Sequence, residues 1–275
     1  MLMKEYRICM PLTVEEYKIG QLYMISKHSS EQSGGGEGVE VVRNQPDSHP
    51  QHGLGQLTEK RIYLSSKLPS WVSVFVPRVF YVTEKAWNFY PYTITEYSVS
   101  FLPKFSIRIE TRFENNNGDN NNVFGDRPTP AESVSHLDIL VDPIPDKHYK
   151  ETEDLSRWVS EKTGRGPLVE GWWKDSTPIM CSYKRVKCSF EVYGLQGKTE
   201  DFIHRNIQDI LLVGHRQAVA WTDEWHAAPR PAFSRSMSVT DERSLKKMGV
   251  KTIAMSDPST STLPHTTVRL NSTPE

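Results

Sequence analysis

Residues 92–113 read YTITEYSVSFLPKFSIRIETRF, and this stretch decides the fold class. Apolar and polar side chains alternate with period two through residues 92–101 and again through residues 105–113, a pattern that predicts two β-strands. Only three residues, with Pro103 among them, separate the two strands. A crossover to a parallel neighbour needs a dozen residues or more, so the two strands are predicted to pair in antiparallel fashion.

The same alternation recurs along most of the chain. Further strands are predicted at residues 4–10, 39–44, 57–65, 79–88, 134–141 and 178–193. Clusters of Gly, Pro, Asn and Asp join most of them, as in NNNGDNNN at residues 115–122, and few helices intervene. This arrangement predicts an α+β fold around a mainly antiparallel sheet, and the length of the last strand predicts a curved one.

Two helices are predicted to accompany the sheet. Thr13 and Glu16 have the spacing of a capping box, which starts a helix over residues 13–28 before a Gly/Ser-rich loop at residues 29–38. In residues 199–225, apolar side chains recur at steps of three and four, which predicts a second, longer helix with a broad apolar face. Such a face is suited to lie across a sheet.

Composition narrows the classes of function. The formal charge of −1 leaves no basic field for nucleic acid, and three cysteines favour free thiols in a reducing compartment. No apolar run approaches the roughly 20 residues that span a bilayer, and the charged N-terminus is not a signal peptide. We therefore expect a cytoplasmic protein that touches membranes only peripherally. No metal-ligand spacing and no GxSxG nucleophile motif is present, so we expect neither a metal nor an enzyme.

The chain is predicted to divide near residue 226. Residues 1–226 contain every predicted strand and both helices, and residues 227–275 form a Ser/Thr/Pro-rich tail that begins with Pro229 and Pro231. This composition predicts a mostly disordered tail, with one short helix near residues 241–248.

Polar side chains occupy the apolar face of four predicted strands. Dividing each strand by parity places six of them among Ile, Val and Phe: Thr58, Lys60, Glu84, Asn88, Thr111 and Lys184. An unpaired buried charge is very costly, so these groups need partners. One interpretation is a bound phosphorylated sugar, with lysines on the phosphate and Glu84 on hydroxyls. The alternative is an ion-pair network of Glu84 with Lys60 or Lys184, or a bulge that turns the side chains outward.

The chain resembles the phosphatidylinositol transfer proteins. The matching segments occur in family order and include KEYRICMPLTVEEYKIGQLYMI, GQLTEKRIYLSSKLPSW, EKAWNFYPYTITEY, SEKTGRGPL and HRQAVAWTDEW. Residues 93–111 and the lack of a Trp-Trp pair before residues 194–196 resemble the class II, retinal degeneration B-beta branch. The resemblance implies a START-like helix-grip fold, in which a curved sheet and long helices enclose a lipid in a cavity.

Site residues follow from the resemblance. It implies headgroup contacts from Gln21, Thr58, Lys60, Glu84, Asn88, Thr95, Thr111 and Lys184. Val192 and Tyr193 stand where other members carry a membrane-inserting Trp-Trp pair, and Ser160 matches a phosphorylation position. A family Glu near the headgroup corresponds to Met237, which leaves closure of the cavity in doubt. Trp172 and Trp173 are a different pair, suited either to membrane contact or to packing.

The resemblance also implies a function. We expect a monomeric carrier that exchanges phosphatidylinositol, or phosphatidic acid, between membranes through transient peripheral contacts. The lipid is cargo and no cofactor is expected. A second hypothesis from another class is a lipid-sensing interaction module, in which the pocket senses lipid and the tail binds a signalling protein.

Overall fold

The computed structural model describes residues 1–32, 39–63, 81–190 and 196–227. Eight strands in these ranges form one open, curved sheet in the order β2-β3-β4-β5-β6-β8-β1-β7. The strands are β1 (Leu2–Met10), β2 (Val39–His49), β3 (Gly53–Tyr63), β4 (Tyr81–Phe89), β5 (Tyr92–Val99), β6 (Leu102–Glu114), β7 (Val134–Leu137) and β8 (Met180–Phe190). All neighbours are antiparallel except β1 and β7, which are parallel. The predicted α+β class and mainly antiparallel sheet are confirmed.

Three helices are described: α1 (Val14–Gln32), α2 (Gln196–Ala220) and α3 (Thr222–Ala227). The capping box before α1 is confirmed, because the Thr13 backbone N–H donates to Glu16 Oε2 at 2.8 Å and the Glu16 N–H donates to Thr13 Oγ1 at 3.1 Å. No helix in the described part of the chain is long and apolar enough to cross a bilayer.

Two helix boundaries were predicted wrongly. Helix α1 continues through residues 29–32, which were assigned to a loop, and residues 33–38 of that loop lie outside the described ranges. The predicted helix over residues 199–225 is two helices, because the chain turns at Trp221. Thr222 Oγ1 donates to the Val219 carbonyl at 2.6 Å and stabilises this turn.

Several strand boundaries were also wrong: β2 continues five residues past the predicted end at residue 44, and β3 begins four residues before the predicted start at residue 57. Strand β7 ends at Leu137, although the alternation continues to residue 141. Asp138 Oδ1 accepts from the Leu140 N–H at 2.8 Å, and the Asp138 N–H donates to Asp142 Oδ2 at 2.9 Å. These bonds form a tight turn in place of a strand. Of the predicted tail, only Ala227 is described, as the last residue of α3; the rest of the tail and its short helix lie outside the described residues.

The helices pack on one face of the sheet, which we call the inner face. The Tyr6 hydroxyl of β1 lies 3.1 Å from His204 Nδ1 of α2, and His204 Nε2 donates to the Leu2 carbonyl at 3.3 Å. Trp225 of α3 is buried against Gly20 of α1, so all three helices share one core with the inner face.

The opposite, outer face is a layer of ion pairs. Arg185 of β8 binds Glu110 of β6 at 2.5 Å and Asp126 at 2.7 Å, and Arg7 binds Glu5 at 2.8 Å. The paired side chains compensate each other's charge on this side of the sheet. The charges on the inner face therefore need a separate account.

Candidate functional site

Strand pairing places the predicted strand residues of the site on the inner face. Tyr6, which bonds to helix α2, is opposite Lys184, and Lys184 is opposite Thr111. The same register relates the remaining five strand residues to that face: Thr58, Lys60, Glu84, Asn88 and Thr95. No register shift falls among these residues, so the alternative of an outward turn at a bulge does not hold.

Lys60 and Glu84 form an ion pair. They are opposite each other on β3 and β4, and Lys60 Nζ lies 3.4 Å from Glu84 Oε1, with both side chains about four-fifths buried. Tyr97 of β5 is opposite Glu84, and its pKa is raised well above the usual value by burial and by the charge and hydrogen bond of Glu84. For these two charges the predicted network is present.

Lys184 differs because no described carboxylate compensates its charge. The side chain is 9% exposed, and its Nζ donates to Thr111 Oγ1 at 3.3 Å and lies 5.5 Å from the ring centre of Phe113. No carboxylate of the described residues lies within 4.0 Å of Nζ. Burial lowers the pKa of Lys184 from 10.5 to about 8. A buried ammonium in this state favours binding of an anion.

A row of polar side chains leads from Lys184 toward β4. Lys184 is opposite Thr111, Thr111 is opposite Thr93, and Thr93 is opposite Asn88. Asn88 Oδ1 accepts from the Tyr90 N–H at 3.1 Å, and within the described ranges its amide Nδ2 donates to no group. The row offers hydroxyl and amide donors beside one cation, which is the chemistry of a phosphate with attached hydroxyls.

The remaining predicted contacts border this row. Thr58 is buried, Thr95 is half-buried between Ala86 and Ile109 on the neighbouring strands, and both lie on the inner face. Gln21 lies on α1 and is half-buried, one turn after the fully buried Tyr17.

Sequence reasoning missed Thr93, Tyr97 and His215. Thr93 and Tyr97 have the parity of Thr95, so the pattern of β5 contained the signal. No spacing or parity in the sequence singles out His215. It is 4% exposed on α2, and its pKa is lowered to about 3 by burial and by the charge of Lys184.

Ser160 is fully buried, and its loop is hydrogen-bonded to Asp223 of helix α3 in a contact that we call the latch. Its Oγ donates to Asp223 Oδ1 at 2.6 Å, and the backbone N–H groups of Glu161 and Lys162 donate to the same carboxylate. Burial alone raises the pKa of Asp223, but these hydrogen bonds outweigh it and lower the pKa. In this arrangement the Ser160 hydroxyl is not accessible to solvent.

The remaining candidates separate by position. Trp172 is buried and donates from Nε1 to Asp138 Oδ1 at 3.1 Å, whereas Trp173 is 37% exposed. Val192, Tyr193 and Met237 lie outside the described residues. Within the described ranges, no group of three or more His, Cys, Asp or Glu side chains has the arrangement of a metal site.

Comparison with known proteins gives consistent matches. The family described as "Phosphatidylinositol transfer protein" matches residues 1–229. "Cytoplasmic phosphatidylinositol transfer protein 1" of Xenopus tropicalis is 61% identical over 251 residues, which cover 91% of this chain and 76% of that protein. The human protein of the same name is 58% identical over 265 residues, covering 96% and 80%. "Protein retinal degeneration B" of Drosophila melanogaster is 41% identical over 268 residues, covering 90% and 21%.

Proposed function

We propose, because this chain belongs to the phosphatidylinositol transfer protein family, that its inner face holds one phosphatidylinositol headgroup while the protein carries the lipid. Members of this family transfer lipids between membranes and are not enzymes. The proposal therefore concerns which residues hold the cargo and what else the site accepts.

The uncompensated charge of Lys184 is the observation that carries the proposal. A phosphodiester beside its Nζ supplies the missing anion and accepts from Thr111 as well. Asn88 and the Lys60–Glu84 pair lie farther along the face, where they reach the inositol hydroxyls as donors and acceptors. Gln21, Thr58 and Thr95 complete the headgroup site.

Transfer by such a carrier depends on a dry interior. Exposing an acyl methylene to water costs about 0.8 kcal/mol, so two chains with some thirty methylenes cost on the order of 25 kcal/mol to expose. The proposal requires an apolar space between the sheet and the helices that replaces the bilayer for the chains. The headgroup contacts then decide which lipid is carried, and no covalent bond changes.

The finer points of the proposal are four. Phosphatidic acid is a second cargo, since it offers the same phosphate to Lys184. The protein acts as a monomer and touches membranes transiently through Val192 and Tyr193. Ser160 is a phosphorylation site. The chain consists of a lipid-transfer domain over residues 1–226 and a tail over residues 227–275 that binds a protein partner.

An isosteric pair of variants tests the headgroup assignment. Thr111→Val removes one inner-face hydroxyl, whereas Thr83→Val removes a hydroxyl from the outer face of β4. Between vesicles with and without phosphatidylinositol, Thr111→Val should transfer this lipid several-fold more slowly than the wild type, and Thr83→Val at the wild-type rate. Equal transfer rates for the two variants would refute the headgroup assignment. A wild type that transfers no phosphatidylinositol would refute the proposed function.

A further inference from the structure

His215 of α2 is held as a neutral acceptor. Its Nδ1 lies 2.7 Å from the Leu211 carbonyl oxygen. Since a carbonyl can only accept, Nδ1 carries the proton and Nε2 of the neutral ring has a free lone pair. The pKa of about 3 keeps the ring neutral at physiological pH.

This lone pair has no partner among the described residues. Nε2 is buried and forms no hydrogen bond within the described ranges. Leaving a buried acceptor unpaired is unfavourable, and native proteins satisfy nearly all such groups with protein, water or ligand. The free Nε2 therefore points to a donor that the described residues do not supply.

His215 lies beside the headgroup residues. Its ring stacks on Tyr17 at 5.7 Å and 14°, Tyr17 contacts Phe113 at 5.2 Å, and Phe113 lies 5.5 Å from Lys184 Nζ. Ser182, two residues before Lys184 on the same face of β8, also has a buried Oγ without a partner in the described ranges. Two buried polar atoms without a partner in the described ranges thus lie in the neighbourhood of the ammonium. Burial and the charge of this ammonium both lower the pKa of His215.

We propose that His215 belongs to the headgroup site and accepts, through Nε2, a hydrogen bond from a hydroxyl group of a polyol phosphodiester. This assignment rests on the proposed function and adds a source of selectivity to it. Lys184 recognises phosphate, which phosphatidylinositol and phosphatidic acid share. His215 recognises a hydroxyl donor, which only the inositol lipid presents, because the phosphomonoester of phosphatidic acid mostly carries acceptor oxygens above its second pKa near 6.

Three variants on helix α2 test this role. His215→Phe keeps a ring to stack on Tyr17 but removes both nitrogens, and His215→Gln restores an acceptor near Nε2. His204→Phe is the matched control, because His204 is equally buried on α2 but both of its nitrogens already have protein partners, Tyr6 and Leu2. Each variant is loaded from vesicles containing equal amounts of phosphatidylinositol and phosphatidic acid, and the bound lipids are counted by mass spectrometry.

The ratio of the two bound lipids is the decisive quantity. His215→Phe should lower the ratio of phosphatidylinositol to phosphatidic acid about tenfold, as expected for one lost hydrogen bond at a buried site. His215→Gln should restore part of the ratio, and His204→Phe should leave it unchanged. An unchanged ratio in His215→Phe, including equal losses of both lipids, would overturn the proposal.

A spectroscopic measurement on the wild type covers the case in which His215→Phe does not fold. The ¹⁵N resonance of His215 Nε2 should move when the lipid-free protein takes up phosphatidylinositol and stay in place with phosphatidic acid. The same shift with both lipids would overturn the role of His215. Failure of the wild type to bind either lipid would instead refute the proposed function.

Discussion

Replacing Lys184 with methionine should stabilise the lipid-free protein and remove its lipid transfer. Methionine keeps most of the apolar stem but lacks the ammonium. In the wild type this ammonium is buried, and no carboxylate of the described residues lies within 4.0 Å of it. The pKa of Lys184 falls from 10.5 to about 8 on folding. A change of this size corresponds to roughly 3 kcal/mol of unfavourable charge burial. Losing the Thr111 bond and the Phe113 contact offsets part of this, so we expect a net gain of about 1–2 kcal/mol.

The sign of this effect depends on pH. Because the folded-state pKa is the lower one, the penalty is complete below pH 8 and disappears as the pH rises toward 10.5. Lipid-free wild type should therefore approach the stability of Lys184→Met between pH 8 and 10. Urea denaturation of delipidated protein at several pH values measures the free energy of unfolding.

Arg185→Met is the matched control for Lys184→Met. Arg185 is the next residue, but it lies on the outer face and binds Glu110 and Asp126. Its loss leaves buried Glu110 without this partner and should cost about 3–5 kcal/mol. The balance between phosphatidylinositol and phosphatidic acid should not change. A Lys184→Met protein that is less stable than wild type yet transfers lipid normally would refute the reasoning, because Lys184 would then be a structural cation.

Three further changes test other parts of the structure. Lys60→Met should lower phosphatidylinositol transfer at least several-fold, because Glu84 on β4 loses its partner. Vesicle assays measure the transfer rate, and an unchanged rate would exclude Lys60 from the site. Gly20→Val should lower the free energy of unfolding by about 1–3 kcal/mol, because even a Cβ at this position lies 3.1 Å from the buried Trp225 ring. Urea denaturation measures this, and a midpoint at the same urea concentration as the wild type would contradict it. Asp223→Asn should weaken the hydrogen bonds that hold Ser160 and so speed phosphorylation of Ser160 by a purified kinase. Equal phosphorylation rates in the wild type and the variant would show that this contact does not limit access to the Ser160 hydroxyl.

The inner face could be predicted because it depends on parity alone. Alternation in β3, β4, β6 and β8 assigns Thr58, Lys60, Asn88 and Lys184 to one side, and the register aligns them there. Which of these charges is compensated could not be predicted. Lys60 faces Glu84 across one strand pair, whereas Lys184 faces Thr111, and only the strand order decides such neighbours.

Element boundaries were less predictable because local bonds override periodicity. The apolar period continues through Trp221, but the Thr222 hydroxyl bonds back to the Val219 carbonyl, and the chain turns there between α2 and α3. In residues 138–141 the alternation persists while Asp138 forms a turn. His215 escaped notice for a similar reason, since only the bond to Leu211 shows which nitrogen is left as an acceptor.

Native mass spectrometry of the freshly purified protein tests the central claim most directly. The wild-type chain should retain one phospholipid, with phosphatidylinositol prominent, and Lys184→Met prepared in the same way should be largely empty. Equal occupancy in both proteins, or a wild type that carries neutral and zwitterionic lipids without preference, would contradict a headgroup site built on the buried ammonium.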